Sequence, residues 1–302
     1  MSRRVATLLL AMCASTAGLY AQNTSTARGP STPTLESMLT TPSLNVFRRF
    51  SGDRTKEVEF YGDVLALPPL ATFGMPGGGQ MTRFHAGTSE IKLTAAGRTG
   101  QAAQERREPT GDIRDVTGVR VFTFFFPDEA ALSARFKAHN LPVPDFRNGA
   151  GKTRTALVKD PEDQWVELVV TPGAAADMYN NLEVGLTVSD LDKSRAFYLG
   201  FVGLPELPLT DTPGLGKTYR FRHGTTTIKL WAAAPGAKKN TYTAGIQYVT
   251  SNVDEVDARA KANHITITQP LGMFGQGLKT VWLADPDGIT NYFAQIIRSK
   301  QP

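Results

Sequence analysis

The sequence predicts an α+β protein assembled from four strand–helix–strands units with curved mixed sheets. Three observations predict it: a long internal repeat, the same element order inside each repeat, and a globular composition. Phe60-Tyr61 recurs as Phe197-Tyr198, Leu67-Pro68 as Leu204-Pro205 and Arg83-Phe84 as Arg220-Phe221. Gly87-Thr88 recurs as Gly224-Thr225 and Ile91-Lys92-Leu93 as Ile228-Lys229-Leu230, all at an offset of 137. Later matches run slightly shorter, at 124 for Lys137-Ala138 with Lys261-Ala262 and at 125 for Asp160-Pro161 with Asp285-Pro286. The chain is therefore two homologous halves of about 125 residues. They join near Thr171 to Asn181, where Pro172, Gly173 and three alanines break the pattern. The 302 residues are 41% hydrophobic and 20% charged, which suits about two domains and excludes collagen, coiled coil and wholesale disorder.

The elements follow from local pattern. In the first half, strands are expected near Leu44 to Phe50, Met81 to His85, Glu90 to Ala95, Val119 to Phe126, Thr153 to Val158 and Trp165 to Val170. Helices are expected near Thr55 to Leu65 and Asp128 to Asn140, and Asp160-Pro-Glu-Asp163 is a turn between the last two strands. In the second half, the alternating run Leu182 to Val188 is a strand. Asp190 then caps a helix over Leu191 to Val202. Strands Lys217 to Arg222 and Thr226 to Trp231 follow. The unit then restarts with strand Ala244 to Thr250, helix Val253 to Asn263, strand Leu278 to Ala284, turn Asp285-Pro-Asp-Gly288 and strand Ile289 to Ile296.

Ahead of these units stands an export pattern. Arg3 and Arg4 precede an apolar run from Val5 through Ala14, and small residues follow to Ala21. The run is too short and too rich in Ala, Ser and Thr for a transmembrane span. Residues 1–21 are thus expected to be a cleaved signal peptide, and the protein secreted or periplasmic. Met12 disfavours a lipid anchor at Cys13. Residues 22–42, rich in Ser, Thr, Pro and Gly, are expected to be a disordered tether. Cleavage lowers the net charge from +5 to +3, weak for a nucleic-acid partner. It also removes the single cysteine, which excludes thiol catalysis, thiolate metal ligation and disulfides.

Two phrases carry a family resemblance. Leu182 to Leu204 holds a strand, then Ser189-Asp190-Leu191-Asp192-Lys193-Ser194, then Phe197-Tyr198 and Gly203-Leu204. Asp285-Pro286-Asp287-Gly288 precedes a closing strand. Together they resemble the vicinal oxygen chelate superfamily, which includes glyoxalase I, bleomycin-resistance proteins and extradiol dioxygenases. The resemblance covers nearly all of residues 44–296. It implies four βαβββ units forming two glyoxalase-like cups, one in a first domain over 43–172 and one in a second over 182–298, with a linker at 173–181.

In metal-binding members the resemblance places ligands at the start of each unit's first strand and near the end of its last. In the second half these positions fall on Glu183, Gly245 and Tyr292, with Lys229 at a further position in the third strand. In the first half they fall on Asn45, Val121 (or Gly118 if the register slips), Glu167 and Lys92. Neither set is the usual triad. His139 and His264 fall at helix ends. His85 and His223 fall at strand ends before turns, and alternation with Arg83 allows His85 to face the first cup. Trp165, Glu167 and Val169 share one strand face, so an inward Glu167 needs a partner, for which Arg83 or Lys92 is available. The equivalent pair Arg83 and Arg220 has the geometry to hold an anion.

Two functional readings remain. In the first, a metal-poor exported protein with no cofactor binds a small organic molecule in a cup, as monomer or homodimer, through Arg83, Glu167, Arg220 and Tyr292. Its apolar walls are expected among Phe122, Phe124, Phe126, Tyr219, Trp231, Tyr248 and Trp282. A structural role at the cell surface is indistinguishable from it by sequence. In the second, the first domain is a lyase, isomerase or dioxygenase holding one divalent metal (Fe, Mn, Zn or Ni) with Asn45, His85 and Glu167.

Overall fold

The computed structural model describes residues 33–50, 53–74, 79–95, 111–239, 244–275 and 277–297. The expected signal peptide and residues 22–32 of the expected tether lie outside them. The first unit holds β1 (Asn45–Phe50), α1 (Arg54–Glu59), β2 (Pro69–Gly74), β3 (Gln80–Ala86) and β4 (Ser89–Ala95). The second holds β5 (Gly118–Phe126), α2 (Glu129–Ala138), β6 (Arg147–Asn148), β7 (Arg154–Lys159) and β8 (Trp165–Val170). The third holds β9 (Leu182–Val188), α3 (Leu191–Arg195), β10 (Glu206–Thr212), β11 (Gly216–His223) and β12 (Thr226–Ala232). The fourth holds β13 (Ala244–Val249), α4 (Val253–Ala262), β14 (Ile267–Phe274), β15 (Leu278–Ala284) and β16 (Thr290–Ile296).

Each helix starts where an Asx side chain accepts from the first turn: Asp53 from the Thr55 amide, Asp128 from Ala131, Asp190 from Asp192 and Lys193, and Asn252 from Glu255. In the first and third units the helix continues as a π turn, over Phe60–Val64 and Ala196–Val202. Each turn buries its Phe-Tyr pair in the large core between the sheets and helices.

The sheets do not follow the halves. One has the order β14-β15-β16-β13-β1-β4-β3-β2 and the other β10-β11-β12-β9-β5-β8-β7-β6. The first and fourth units thus share one cup, the outer cup, and the second and third share the other, the inner cup. The expectation that residues 43–172 and 182–298 each close a cup of their own is corrected. The seams explain why: β1 pairs antiparallel with β13, and β5 with β9.

Within each half the units are joined differently. The Tyr61 hydroxyl donates to Asp160 Oδ2 at 3.0 Å, and Tyr198 to Asp285 Oδ2 at 3.1 Å. The other oxygen of each aspartate accepts two amides of its own turn, from Glu162 and Gln164 or from Asp287 and Ile289. The two recurring phrases, Phe-Tyr and Asp-Pro, are therefore one buried clasp between units. The repeats also touch each other at equivalent positions, Thr88 against Thr225 and Ser89 against Thr226, each 2.8 Å between hydroxyls. Gly224 has φ +54, and a Cβ there would lie 1.5 Å from the Pro42 carbonyl oxygen. Only glycine fits that turn.

Residues 33–42 depart from the expected tether. Glu36–Met38 form a short helical turn, Leu35 is 1% exposed in the core, and Leu39 bridges to Thr250. One buried leucine outweighs a polar, proline-containing context.

Candidate functional site

The two cups present the same four strand positions to their centres. In the outer cup these are Asn45 on β1, Lys92 on β4, Gln247 on β13 and Tyr292 on β16. In the inner cup they are Glu183 on β9, Lys229 on β12, Thr123 on β5 and Glu167 on β8. The ladder registers make them equivalent. Asn45 lies opposite Gln247, and Gln247 opposite Tyr292. Glu183 lies opposite Thr123, and Thr123 opposite Glu167.

In the inner cup the donors converge on an ammonium group. Lys229 Nζ lies 2.9 Å from Glu183 Oε2, 3.1 Å from Glu167 Oε2 and 3.2 Å from Thr123 Oγ1. Thr123 also donates to Glu167 at 2.7 Å. Burial pulls the Lys229 ammonium down, but Glu183 and Glu167 together outweigh it and hold it above the ordinary lysine range. Burial likewise pushes Glu167 up, and Lys229 with the Thr123 hydroxyl reverses this, leaving its carboxyl below the ordinary range. Arg220 stands 3.8 Å from Glu183. A cavity of about 540 Å³ opens here, lined by Val121, Trp231, Arg114, Arg147, Asp112 and Asp145 among others.

The outer cup is built from different chemistry. Gln247 Oε1 accepts from Lys92 Nζ and from Asn45 Nδ2, the latter at 3.2 Å. The nearest acid, Glu90, is 3.4 Å from both Lys92 and Arg83. Burial depresses Lys92 below the ordinary lysine range, and Glu90 offsets this only in part. A cavity of about 560 Å³ lies over these residues, with an aromatic wall of Phe47, Tyr292 and Trp282. Trp282 stacks on Tyr292 with centroids 5.0 Å apart, and Phe47 lies 5.7 Å from Tyr292. The Arg49 guanidinium sits over Phe47 and Trp282, at 5.3 and 5.5 Å. Gly245, opposite Phe47 on β13, makes this wall possible. A Cβ there would lie 2.5 Å from both Phe47 Cζ and the Thr290 carbonyl oxygen.

These geometries correct several expectations. Asn45, His85 and Glu167 do not meet. Asn45 belongs to the outer cup and Glu167 to the inner one. His85 lies one rung beyond the outer cavity, in a groove with Leu65, Pro68 and Phe124. Arg83 and Tyr292 line the outer cup together, whereas Arg220 and Glu167 belong to the inner one. Glu167 is paired by Lys229 rather than by Arg83 or Lys92. The side chains that the seam strands contribute are Gln247 and Thr123, two residues beyond Gly245 and Val121 in each case. Alternation along the strand was the signal for both. Of the expected wall residues, Trp231 lines the inner cup and Trp282 the outer, while Phe122, Phe124 and Tyr248 are core.

The residues do not fit the divalent metal that the resemblance implies. In each cup a lysine side chain enters the space on which the donors converge, and among the described residues no group of three or more His, Cys, Asp or Glu is placed to hold a metal. Among those residues no helix is long and apolar enough to cross a membrane.

No curated protein sequence matches the chain. Among solved structures, glyoxalase I from Zea mays matches with a TM-score of 0.63 and 20% identity, over 86% of this chain and 94% of that one. A candidate dioxygenase from Bacillus subtilis subsp. subtilis str. 168 matches with a TM-score of 0.62 and 17% identity, over 86% and 87%. At these identities the likeness is one of fold. The family model of the Glyoxalase/Bleomycin resistance protein/Dioxygenase superfamily matches residues 182–293. That match covers the third and fourth units, and the two-cup fold of the whole chain is the one the solved structures share.

Proposed function

We propose that this is an exported protein that binds a small organic molecule in the outer cup without a metal. The observation that carries the reading is the pair of equivalent lysines, Lys92 and Lys229, each set where the polar side chains of its cup converge. A fixed ammonium supplies positive charge but has no empty coordination position to offer a substrate oxygen. The outer cup is favoured over the inner one because three aromatic rings cluster in its wall. Export rests on the pattern of residues 1–21.

Metal analysis of the mature protein, purified without chelator or tag-borne metal, tests this directly. Metal far below one equivalent, with melting unchanged on adding Fe, Mn, Zn or Ni, is the expected result. One equivalent of any of them overturns the reading and restores a metal-dependent lyase, isomerase or dioxygenase. Amino-terminal sequencing of the secreted chain, expected to begin at Gln22, tests export.

A further inference from the structure

We infer that the ligand of the outer cup is a planar aromatic molecule carrying a negative charge, an inference that rests on the reading of this cup as the binding site. Shape and charge argue for it separately.

The shape argument comes from the wall. Phe47, Tyr292 and Trp282 come from three strands and form one cluster, Trp282 stacked on Tyr292 and Phe47 tilted against both, with Trp282 and Phe47 centroids 6.3 Å apart. The bare backbone of Gly245 lets the Phe47 ring lie across the intervening strand to reach Tyr292. Such a face matches a flat ring better than a branched aliphatic one. Phe73, Phe274 and Ile296 also line the cavity. Phe73 is 48% exposed and Ile296 63%, so apolar surface at the mouth is left for a ligand to cover.

The charge argument comes from the lining. Arg83 and Lys92 face one acid, Glu90, among the described lining residues. Glu90 is shared between Arg83 and Lys92 at 3.4 Å each, so one carboxylate serves two cations. Among the described residues lining the inner cup, Arg114, Arg147 and Lys229 are matched by Asp112, Asp145 and Glu167. A ring packed on the outer wall brings an attached carboxylate to the side where Lys92 lies beside Phe47.

The test compares three probes with the same ring and different charge: 2-naphthoate, 2-naphthamide and 2-naphthylmethylammonium. They are titrated by calorimetry into the wild-type mature protein, with tryptophan quenching as a second readout. Naphthoate is expected to bind at least about tenfold tighter than naphthamide, with the ammonium weakest. Lys92→Gln is expected to erase most of that ratio, and Phe47→Leu to weaken all three probes. Equal affinity for naphthoate and naphthamide, or a preference for the ammonium, overturns the inference while a small-molecule site stands. Binding of cyclohexanecarboxylate as tight as naphthoate overturns the aromatic half. No binding by any naphthyl probe overturns it outright. The reading of the cup as a binding site fails separately, through the metal analysis above.

Discussion

The two cups share one backbone plan, one set of four positions and one lysine, yet they neutralise that lysine in different ways. In the inner cup two carboxylates and a hydroxyl close around Lys229 at 2.9–3.2 Å. In the outer cup one amide, that of Gln247, accepts from Lys92, and the nearest carboxylate is 3.4 Å away and shared. The inner arrangement is an ion cluster whose charges satisfy one another, which makes it scaffold on the proposed reading. The outer arrangement leaves positive charge beside an aromatic wall, which is what a binding site needs. Duplicated folds can thus keep the geometry of a site twice while keeping a ligand-ready charge only once.

The sharpest way to break this comparison is to remove each lysine in turn. Lys229→Met leaves Glu167 and Glu183 facing each other with no cation between them. The expected loss is about 2–3 kcal/mol, below that of a fully buried pair because the Glu167 side chain is 31% exposed. Lys92→Met leaves the Asn45–Gln247 hydrogen bond and the Arg83–Glu90 pair in place, and should cost less than about 1 kcal/mol. Urea unfolding of both variants measures the difference, and equal losses would remove the distinction between scaffold and site. Lys229→Ala sharpens it further. The vacated space between two carboxylates should acquire affinity for Mn²⁺, seen as a rise in melting temperature that the wild type lacks.

The two halves differ as well, in their buried clasps. Asp160 has Arg48 beside it at 3.2 Å, and there the strain of burial falls on Glu57, whose carboxyl oxygens have no hydrogen-bond partner among the described residues. Burial foremost, with Asp160 adding to it, pushes Glu57 up to about 9. In the second half burial pushes Asp285 itself up to about 7. A carboxyl whose folded value is raised binds its proton more tightly in the folded state. Its stabilisation is complete below the unfolded value and is lost as pH rises towards the folded one. The window is from 3.8 to about 7 for Asp285 and from 4.5 to about 9 for Glu57. Each group contributes a slope of up to about 1.4 kcal/mol per pH unit inside its window. Unfolding at pH 5, 7 and 9 should show stability falling throughout. Asp285→Asn should flatten the slope below pH 7 only, and Glu57→Gln should flatten it up to pH 9. A wild-type curve that rises with pH would contradict both.

The sequence carried the fold further than the site. The 137-residue repeat and the Phe-Tyr and Asp-Pro phrases were legible because they are buried clasp residues under tight steric demand. Four strands escaped, β2, β6, β10 and β14, one at the edge of each unit. Their residues are mostly exposed and three of the strands contain proline, so neither alternation nor β-propensity marks them. Which units share a cup was not legible at all. The seams β1–β13 and β5–β9 are long-range pairings between strands that read alike. For that reason Asn45 and Glu167 were placed in one cup when they belong to two. Gly245 looked like a missing ligand because its cause, the Phe47 ring above it, comes from the other half of the chain.

That glycine offers the next comparison, because each cup has one. In the outer cup a Cβ on Gly245 would lie 2.5 Å from Phe47 Cζ. In the inner cup a Cβ on Gly185 would lie 2.1 Å from Trp231 Cη2. Both alanine variants should destabilise by about 1–3 kcal/mol through overpacking. Their consequences should nevertheless part. Phe47 is a wall of the proposed site, so Gly245→Ala should also weaken naphthoate binding severalfold. Trp231 is fixed by its indole N–H donating to Thr187 at 2.6 Å, in a cup that holds no ligand on this reading. Gly185→Ala should therefore lower the melting temperature and leave that affinity unchanged. The reverse pattern would move the site to the inner cup.

The smallest effect expected is in the clasps. Tyr61→Phe and Tyr198→Phe each delete one buried hydroxyl and leave the ring packing intact. Tyr61 donates to an Asp160 that also accepts from Arg48, so its loss should cost about 1 kcal/mol. Tyr198 donates to an Asp285 that has no ion pair among the described residues, and accepts from Asn291 Nδ2 at 3.4 Å. Removing it strips Asp285 Oδ2 of the one hydroxyl that favours its ionised form. Tyr198→Phe should therefore cost more at pH 8 than at pH 5, and Tyr61→Phe about the same at both. A Tyr198→Phe penalty independent of pH would mean that the second clasp does not titrate through Asp285.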